Sequence, residues 1–314
     1  MRIGDICSNN LPSVATIGFF DGVHRGHRFL IDQVRREAAV RGLDAAVITF
    51  PVHPRQVLQC DYRPQLLTTP QEKLSLLAET GIDTCILLDF TPHLASLTAR
   101  EFMEVLQNRY RIRALVIGYD HRFGHNRSEG FEDYARHGQE LGIDILPAEA
   151  FRLPAAPDGN PVSSSLIRRL LRTGDVSQAA ECLGYPYFLD GTVVSGRRIG
   201  HQLGYPTANL QPGHPDKIVP ANGVYAVRVE TGGKTYGGML NIGRRPTLDN
   251  GDDRSIEVHI FDFDRDIYRE SLRLSFVRRI REERKFDSVD QLAEQLHRDA
   301  TAIRALLQAP HTAP

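Results

Sequence analysis

The sequence contains no apolar run near the roughly 20 residues that span a bilayer, so a membrane-spanning helix is not expected. Its four cysteines, Cys7, Cys60, Cys85 and Cys182, form no Cys-x-x-Cys pair and no Cys/His cluster with zinc spacing. That argues against a disulfide framework and for structural thiols in a reducing cytoplasm. Lys plus Arg is 38 and Asp plus Glu is 39, so the formal net charge is −1. A balance near zero argues against nucleic-acid binding through bulk charge and leaves room for a local anion site. There is no G-x-x-x-x-G-K-[ST] loop and no G-x-G-x-x-G fingerprint, which removes those two nucleotide readings. Met1 to Pro12 lacks an apolar h-region and is not expected to be a secretory leader.

What is present is ordinary for a globular chain that buries a sizeable core: 41% hydrophobic and 25% charged residues in 314 positions. That length predicts two domains. The first half alternates apolar runs with amphipathic segments. Strands are expected at Val14–Phe20, Ala45–Phe50, Thr84–Asp89 and Ala114–Gly118. Helices are expected at His27–Arg41, Pro70–Glu79 and Ala99–Tyr110. This alternation predicts a parallel sheet covered on both faces. A helix at Val176–Leu183 and the turn Gly184-Tyr185-Pro186 mark the expected boundary, giving domains 1–183 and 184–314. Beyond it the pattern becomes β-rich, with strands expected at 191–195, 223–230, 234–241, 255–261 and 271–280. They read as a small antiparallel barrel or sandwich closed by a helix over Asp287–Leu307, with Ser288-x-x-Gln291 as its capping box.

Three segments carry chemistry. In Phe20-Asp-Gly-Val-His-Arg-Gly-His27, two glycines and the pair His24 and His27 sit between a strand and a helix. Free N–H groups and the helix dipole favour an anion there, and strand ends are where open α/β sheets bind ligands. The bland alternative is a pair of surface histidines in a βα turn. Val162-Ser-Ser-Ser-Leu-Ile-Arg-Arg169 reads either as a capped helix or as a second anion-binding N-terminus with Arg168 one turn in. In the second half, Thr207 and Asn209 offer two hard oxygen donors, or merely turn hydrogen bonds. Glu257 and His259 share one face of a strand, either as a solvated face or with Glu257 as a proton acceptor.

The strand–HxGH–helix pattern at His24, Gly26 and His27 resembles the nucleotidyltransferase superfamily, and Ser-Ser-Ser-x-Ile-Arg resembles its second signature. The string Ile-Gly-x-Phe-Asp-Gly-Val-His-x-Gly-His is similar to the FMN adenylyltransferase module of prokaryotic bifunctional FAD synthetases. Ile117–Gly124 matches a further segment of that branch, with His121 where phenylalanine is common. Gly-Tyr-Pro-Thr-Ala-Asn209, Gly238–Thr247 and Glu257–Tyr268 together resemble the riboflavin kinase module. His201 and Arg269 depart from that module, at positions where Arg or Lys, and glycine, are common. Arg278–Lys285 reads as a solvated strand end or as a flap near flavin or ADP.

The resemblance spans about 290 of the 314 residues. It implies an α/β nucleotidyltransferase-like (Rossmann-like) N-terminal domain and a small Greek-key β-barrel domain with a C-terminal helix. It implies that riboflavin and ATP give FMN, and that FMN and ATP give FAD and pyrophosphate. Catalytic roles map to His24, His27, Arg168 and Glu257. Nucleotide and phosphate contacts map to Phe19, Asp21, Gly26, Ser163, Ser164, Ser165, Gly204, Thr207 and Asn209. Flavin contacts map to Asp120, Phe123 and Asn126, and Mg²⁺ to Thr207 and Asn209. Partners are then small molecules, with no nucleic acid and no membrane, in the cytoplasm. Two rivals share the motifs: an adenylyltransferase whose barrel only binds flavin, and a flavin-responsive regulator without turnover.

Overall fold

The structure is a computed structural model. It describes residues 1–4, 11–59, 61–118, 121–125, 127–151, 161–196, 204–244 and 254–308. The chain separates into two compact units, Met1–Ser164 and Ser165–Pro314.

The first unit is built on six parallel strands: β1 (Arg2–Gly4), β2 (Ser13–Ile17), β3 (Asp44–Thr49), β4 (Thr84–Leu87), β5 (Ile112–Ile117) and β6 (Asp144–Pro147). Their order across the sheet is β1-β4-β3-β2-β5-β6. All five residues of β2 are buried, as its continuous apolar run requires for a strand covered on both sides. Helix α1 (Arg25–Arg41) packs on β2 and β3 through Ile31, Val34 and Ala38. Short helices α2 (Pro54–Leu58) and α4 (Pro92–Ser96) flank α3 (Pro70–Ala78), and α5 (Ala99–Tyr110) and α6 (Phe131–Leu141) complete the unit. Phe102, Met103 and Leu106 of α5 join Ala15, Ile17 and Ile48 in one core. Thr69 with Glu72, and Thr98 with Glu101, form reciprocal capping boxes that start α3 and α5. Successive strands step one way from β2 to β4 and then cross back to β5. The reversal falls between β2 and β5, where the carboxyl ends of strands open a crevice.

The second unit begins in helix α7 (Ser164–Thr173), continues through α8 (Val176–Leu183) and closes a six-stranded barrel. Its strands are β7 (Phe188–Val194), β8 (Ala208–Pro212), β9 (Gly223–Thr231), β10 (Lys234–Arg244), β11 (Arg254–Ile260) and β12 (Ser271–Arg281), in the order β10-β11-β8-β7-β12-β9. All registered pairs are antiparallel. Gly232 and Gly233 both have positive φ, 54° and 74°, which a tight β9–β10 hairpin needs to match strand twist. Helix α9 (Val289–Gln308) buries Ala300 and Ile303 against Val224, Ala226 and Met239. Ser288 Oγ accepts from Gln291 N–H at 3.2 Å as the capping signal predicts; the return bond from Gln291 reaches Asp287 N–H instead. Among the described residues, no helix is long and apolar enough to cross a membrane.

Arg269, which stands where the related module commonly has glycine, has φ 67°. Its N–H donates to Val193 C=O at 3.0 Å, so the turn into β12 keeps the left-handed backbone and strains the larger residue. Arg269→Gly is expected to raise the barrel's unfolding free energy by up to about 1 kcal/mol. Urea denaturation of the parent and the variant checks this.

Candidate active sites

The first site is the turn that carries β2 into α1. Phe20 (φ 53°), Gly22 (φ 83°) and Val23 (φ 35°) all have left-handed backbone. For a β-branched valine that is a costly geometry, of the kind surrounding structure must enforce. The enforcement is visible. Asp21 is buried, and its carboxylate accepts from Leu67 N–H at 3.0 Å, Thr68 N–H at 2.9 Å and the Thr68 hydroxyl at 3.1 Å. Gly22 N–H donates to Thr68 Oγ1 at 3.0 Å, and Ser164 Oγ donates to Asp21 C=O at 2.9 Å. Asp21, placed among the phosphate contacts by resemblance, thus has its carboxylate turned on backbone N–H groups. An anion beside a phosphate would repel it.

His24 is the N-cap of α1: its Nδ1 accepts from His27 N–H at 3.3 Å. Its proton is therefore on Nε2. The His27 ring stacks on it, with centroids 3.6 Å apart. His27 Nδ1 is buried with no hydrogen-bond partner. Burial, then His24 and Lys73, push the His27 pKa well below the usual histidine range. A neutral imidazole with an orphaned nitrogen at a helix N-terminus is a place prepared for an anion. Gly26 is needed there because an added Cβ would press within 3.2 Å of the His24 ring.

Lys73 on α3 gave no signal in the sequence. It is buried, with Nζ 2.7 Å from Phe50 C=O, 3.1 Å from Phe19 C=O and 4.1 Å from the Phe19 ring centroid. It clasps the carboxyl ends of β2 and β3, and burial lowers its pKa to about 8.

These strand ends open into a cavity of about 540 Å³. Its walls are aromatic, with Phe19, Phe50, Phe90, Phe102 and Phe123, and its polar lining includes Arg55, Arg122 and Arg127 together with His53, His121 and His125. Among the described residues, none of the lining is acidic. Phe123, predicted from sequence, stacks on Tyr134 with centroids 4.0 Å apart. Phe19, mapped to the nucleotide by the resemblance, follows β2; Phe50 and Phe90 also follow strands and Phe102 lies on α5, so no local pattern marks those three. Asp120 and Asn126 lie outside the described residues.

Of the serines, Ser163 precedes α7 and Ser164 opens it; Ser165 is exposed and Arg168 half-buried, both within the second unit.

The second site lies on the barrel. Asn209 of β8 pairs with Glu257 of β11, and Glu257 pairs with Asn241 of β10. Directly opposed residues share a face, so a carboxylate stands between two amides across three strands. Asn209 is buried, and an added Cβ on Gly196 would collide with its amide. Thr207 is half-buried immediately before β8, and Gly204 (φ 79°) turns the chain toward it. Asn241 was not anticipated; its register opposite Glu257 is a tertiary fact. His201 lies outside the described residues, as do the last three residues of the Gly238–Thr247 motif.

Comparisons with known proteins agree with this layout. The FAD synthetase family matches residues 7–166, and the riboflavin kinase family matches residues 183–307. The bifunctional riboflavin kinase/FMN adenylyltransferase of Escherichia coli (strain K12) is 36% identical over 293 residues, 93% of this chain and 91% of the relative. Its counterpart in Bacillus subtilis (strain 168) is 35% identical, covering 91% of this chain and 90% of the relative. A crystal structure titled as a macrolide-efflux protein from Streptococcus pneumoniae superimposes with a TM-score of 0.85 at 35% identity, covering 96% of both chains. Fold and sites thus define a two-module transferase, an FAD synthetase domain followed by a riboflavin kinase domain. The chain belongs to the bifunctional riboflavin kinase/FMN adenylyltransferase family.

Two stability predictions follow from the first site. Asp21→Asn replaces an acceptor of several N–H bonds with a group that turns donors on them, and is expected to destabilise the first unit by about 2 kcal/mol. Thermal unfolding measures it. For Lys73, the folded pKa of about 8 lies below the 10.5 of an unperturbed lysine. The unfolded chain therefore binds more protons between those values, and stability through this group rises with pH across that window. The parent is expected to gain about 3 kcal/mol relative to Lys73→Met between pH 7 and pH 10.5. Urea titrations at both pH values test this.

Proposed function

We propose that the first unit converts FMN and ATP to FAD and pyrophosphate, and that the barrel converts riboflavin and ATP to FMN and ADP. The observation that carries the first half is the cavity walled by five phenylalanines, whose lining starts on the strand end at Ile17–Phe19 and whose described charged residues are arginines. A flavin ring suits its walls, and an attached phosphate suits the arginines and the helix N-terminus.

In the first reaction the FMN phosphate is already an anionic nucleophile. An oxygen of it attacks the α-phosphorus of ATP, and the bond to pyrophosphate breaks. No proton has to be removed, so the residues position and neutralise. His24 and His27 donate to the phosphates, with N–H and hydroxyl groups of Ser163 and Ser164; the resemblance gives Ser165 and Arg168 the same phosphate-binding role. Asp21 acts by holding the turn. Phe19 closes the inner wall of the flavin cavity, with Phe123, Asp120 and Asn126 contributing to the flavin contact.

In the second reaction Glu257 accepts the proton of the ribityl 5′-hydroxyl as that oxygen attacks the γ-phosphorus and ADP leaves. No hydrogen bond or ion pair to the Glu257 carboxylate is seen among the described residues, which suits a base. Thr207 and Asn209 would hold the Mg²⁺ of Mg–ATP, and Gly204 gives the nucleotide room. The donor set fits: a hydroxyl and an amide oxygen suit a hard cation, and Gly196 leaves the Asn209 amide its space. Among the described residues no cluster of three His, Cys, Asp or Glu could hold a metal alone, and Thr207 and Asn209 would hold the ion together with the nucleotide. When bound, the ion neutralises phosphate charge.

We place the functional boundary at 183/184, supported by the kinase match beginning at residue 183. The use of ATP and the buried thiol of Cys85 support a cytoplasmic location.

The assignment predicts separable losses. Glu257→Ala is expected to abolish FMN formation from riboflavin and keep FMN-to-FAD conversion. His24→Ala with His27→Ala is expected to do the reverse. Riboflavin, FMN and FAD separated over time with ATP and Mg²⁺ decide it; a folded variant losing both reactions overturns the two-site assignment.

A further inference from the structure

His259 lies two residues from Glu257 on the same face of β11, yet neither reaction above uses it. Its Nδ1–H donates to Pro206 C=O at 2.8 Å; a carbonyl can only accept, which fixes the tautomer. Pro206 immediately precedes Thr207. Among the described residues, registered pairs between β8 and β11 stop at Ala208 with Val258. A proline has no N–H with which to join a ladder. The side-chain bond from His259 is therefore the tether seen on this part of the loop.

The ring is held in that orientation from two sides. Tyr205 meets it edge-on at 5.2 Å and Phe261 at 5.6 Å. Helix α9 backs the same corner: Arg304 lies 4.4 Å over the Phe261 ring and bonds both Asp262 carboxylate oxygens, at 2.7 and 2.9 Å. A side chain packed this way gives up little entropy when it forms its bond.

We propose that His259 is a positioning residue of the kinase site, its Nδ1–H fixing the Pro206 carbonyl so that Thr207 is set beside Asn209 and Glu257 to receive metal–ATP. This rests on the reading of Thr207 and Asn209 as the ATP-binding pair. Burial holds the imidazole's pKa below its ordinary value, consistent with a neutral ring that donates from Nδ1.

The test uses the full chain with riboflavin, ATP and MgCl₂, following FMN. Asn places its amide nitrogen near the position of Nδ1, whereas Gln places it near Nε2. His259→Asn is expected to keep the ATP KM within about threefold of the parent. His259→Gln and His259→Ala are expected to raise it about tenfold, the worth of one lost hydrogen bond, with kcat changed less than threefold. Equal ATP KM values for Asn and Gln, both raised or both unchanged, overturn the proposal, as does a fall in kcat at unchanged KM. Asn and Gln decide the matter even if the alanine variant does not fold. A parent that forms no FMN, or a Glu257→Ala variant that still forms it, instead overturns the kinase-site reading.

Discussion

The buried carboxylate of Asp21 accepts hydrogen bonds from the Leu67 and Thr68 backbone and from the Thr68 hydroxyl, and the first site depends on that arrangement. The bonds hold a turn in which Phe20, Gly22 and Val23 all have left-handed backbone. Without them Val23 would relax toward ordinary φ, and His24 would no longer cap α1. With them, the strand end, the helix N-terminus and the stacked imidazoles are fixed relative to one another. Strain at the site is thus balanced by hydrogen bonds made in a dry environment, where a charged acceptor is strong. Lys73 does similar work from the other side, joining the ends of β2 and β3 through the Phe19 and Phe50 carbonyls.

The barrel meets its constraint differently. Its site comes from register: Asn209, Glu257 and Asn241 are directly opposed on three adjacent strands. A slip of one residue on β11 would turn Glu257 inward and bring apolar Ile256 or Val258 to the site. The buried alternation of Ile256, Val258 and Ile260 prevents that slip, so the core that stabilises the barrel also aims the base. Closure of the sheet removes free edges, and β8 is held on both sides although it has only five residues.

The division of charge explains how a chain with net charge −1 serves two anionic nucleotides. The large cavity has arginines and histidines and, among the described residues, no acid in its lining. Many carboxylates elsewhere are paired on the surface, as in Arg273 with Asp190 and Arg304 with Asp262. Local order rather than the total decides what an anion meets.

By itself the sequence determined the class of both units and the principal chemistry. Short apolar runs alternating with helical periodicity pointed to a parallel sheet, and short β-rich segments pointed to an antiparallel barrel or sandwich, because periodicity follows from burial. The HxGH turn, the serine run, Thr207, Asn209 and Glu257 were legible as candidates because they stand in contiguous motifs that resemble those of known families. Short elements escaped: β1, β6, α2 and α4 were not anticipated, nor was β8, where five residues are too brief a pattern to see; α6 is longer, but it buries only Tyr134 and Gly138, too few apolar positions to mark it. Only the tertiary structure decided that Asp21 clamps the turn, that Lys73 is buried beneath Phe19, and that five phenylalanines remote in sequence share a cavity. It also decided that Asn241 stands opposite Glu257 and that His259 holds Pro206. The reason is physical: burial, register and desolvation depend on which distant segments meet, and no local pattern encodes the partner.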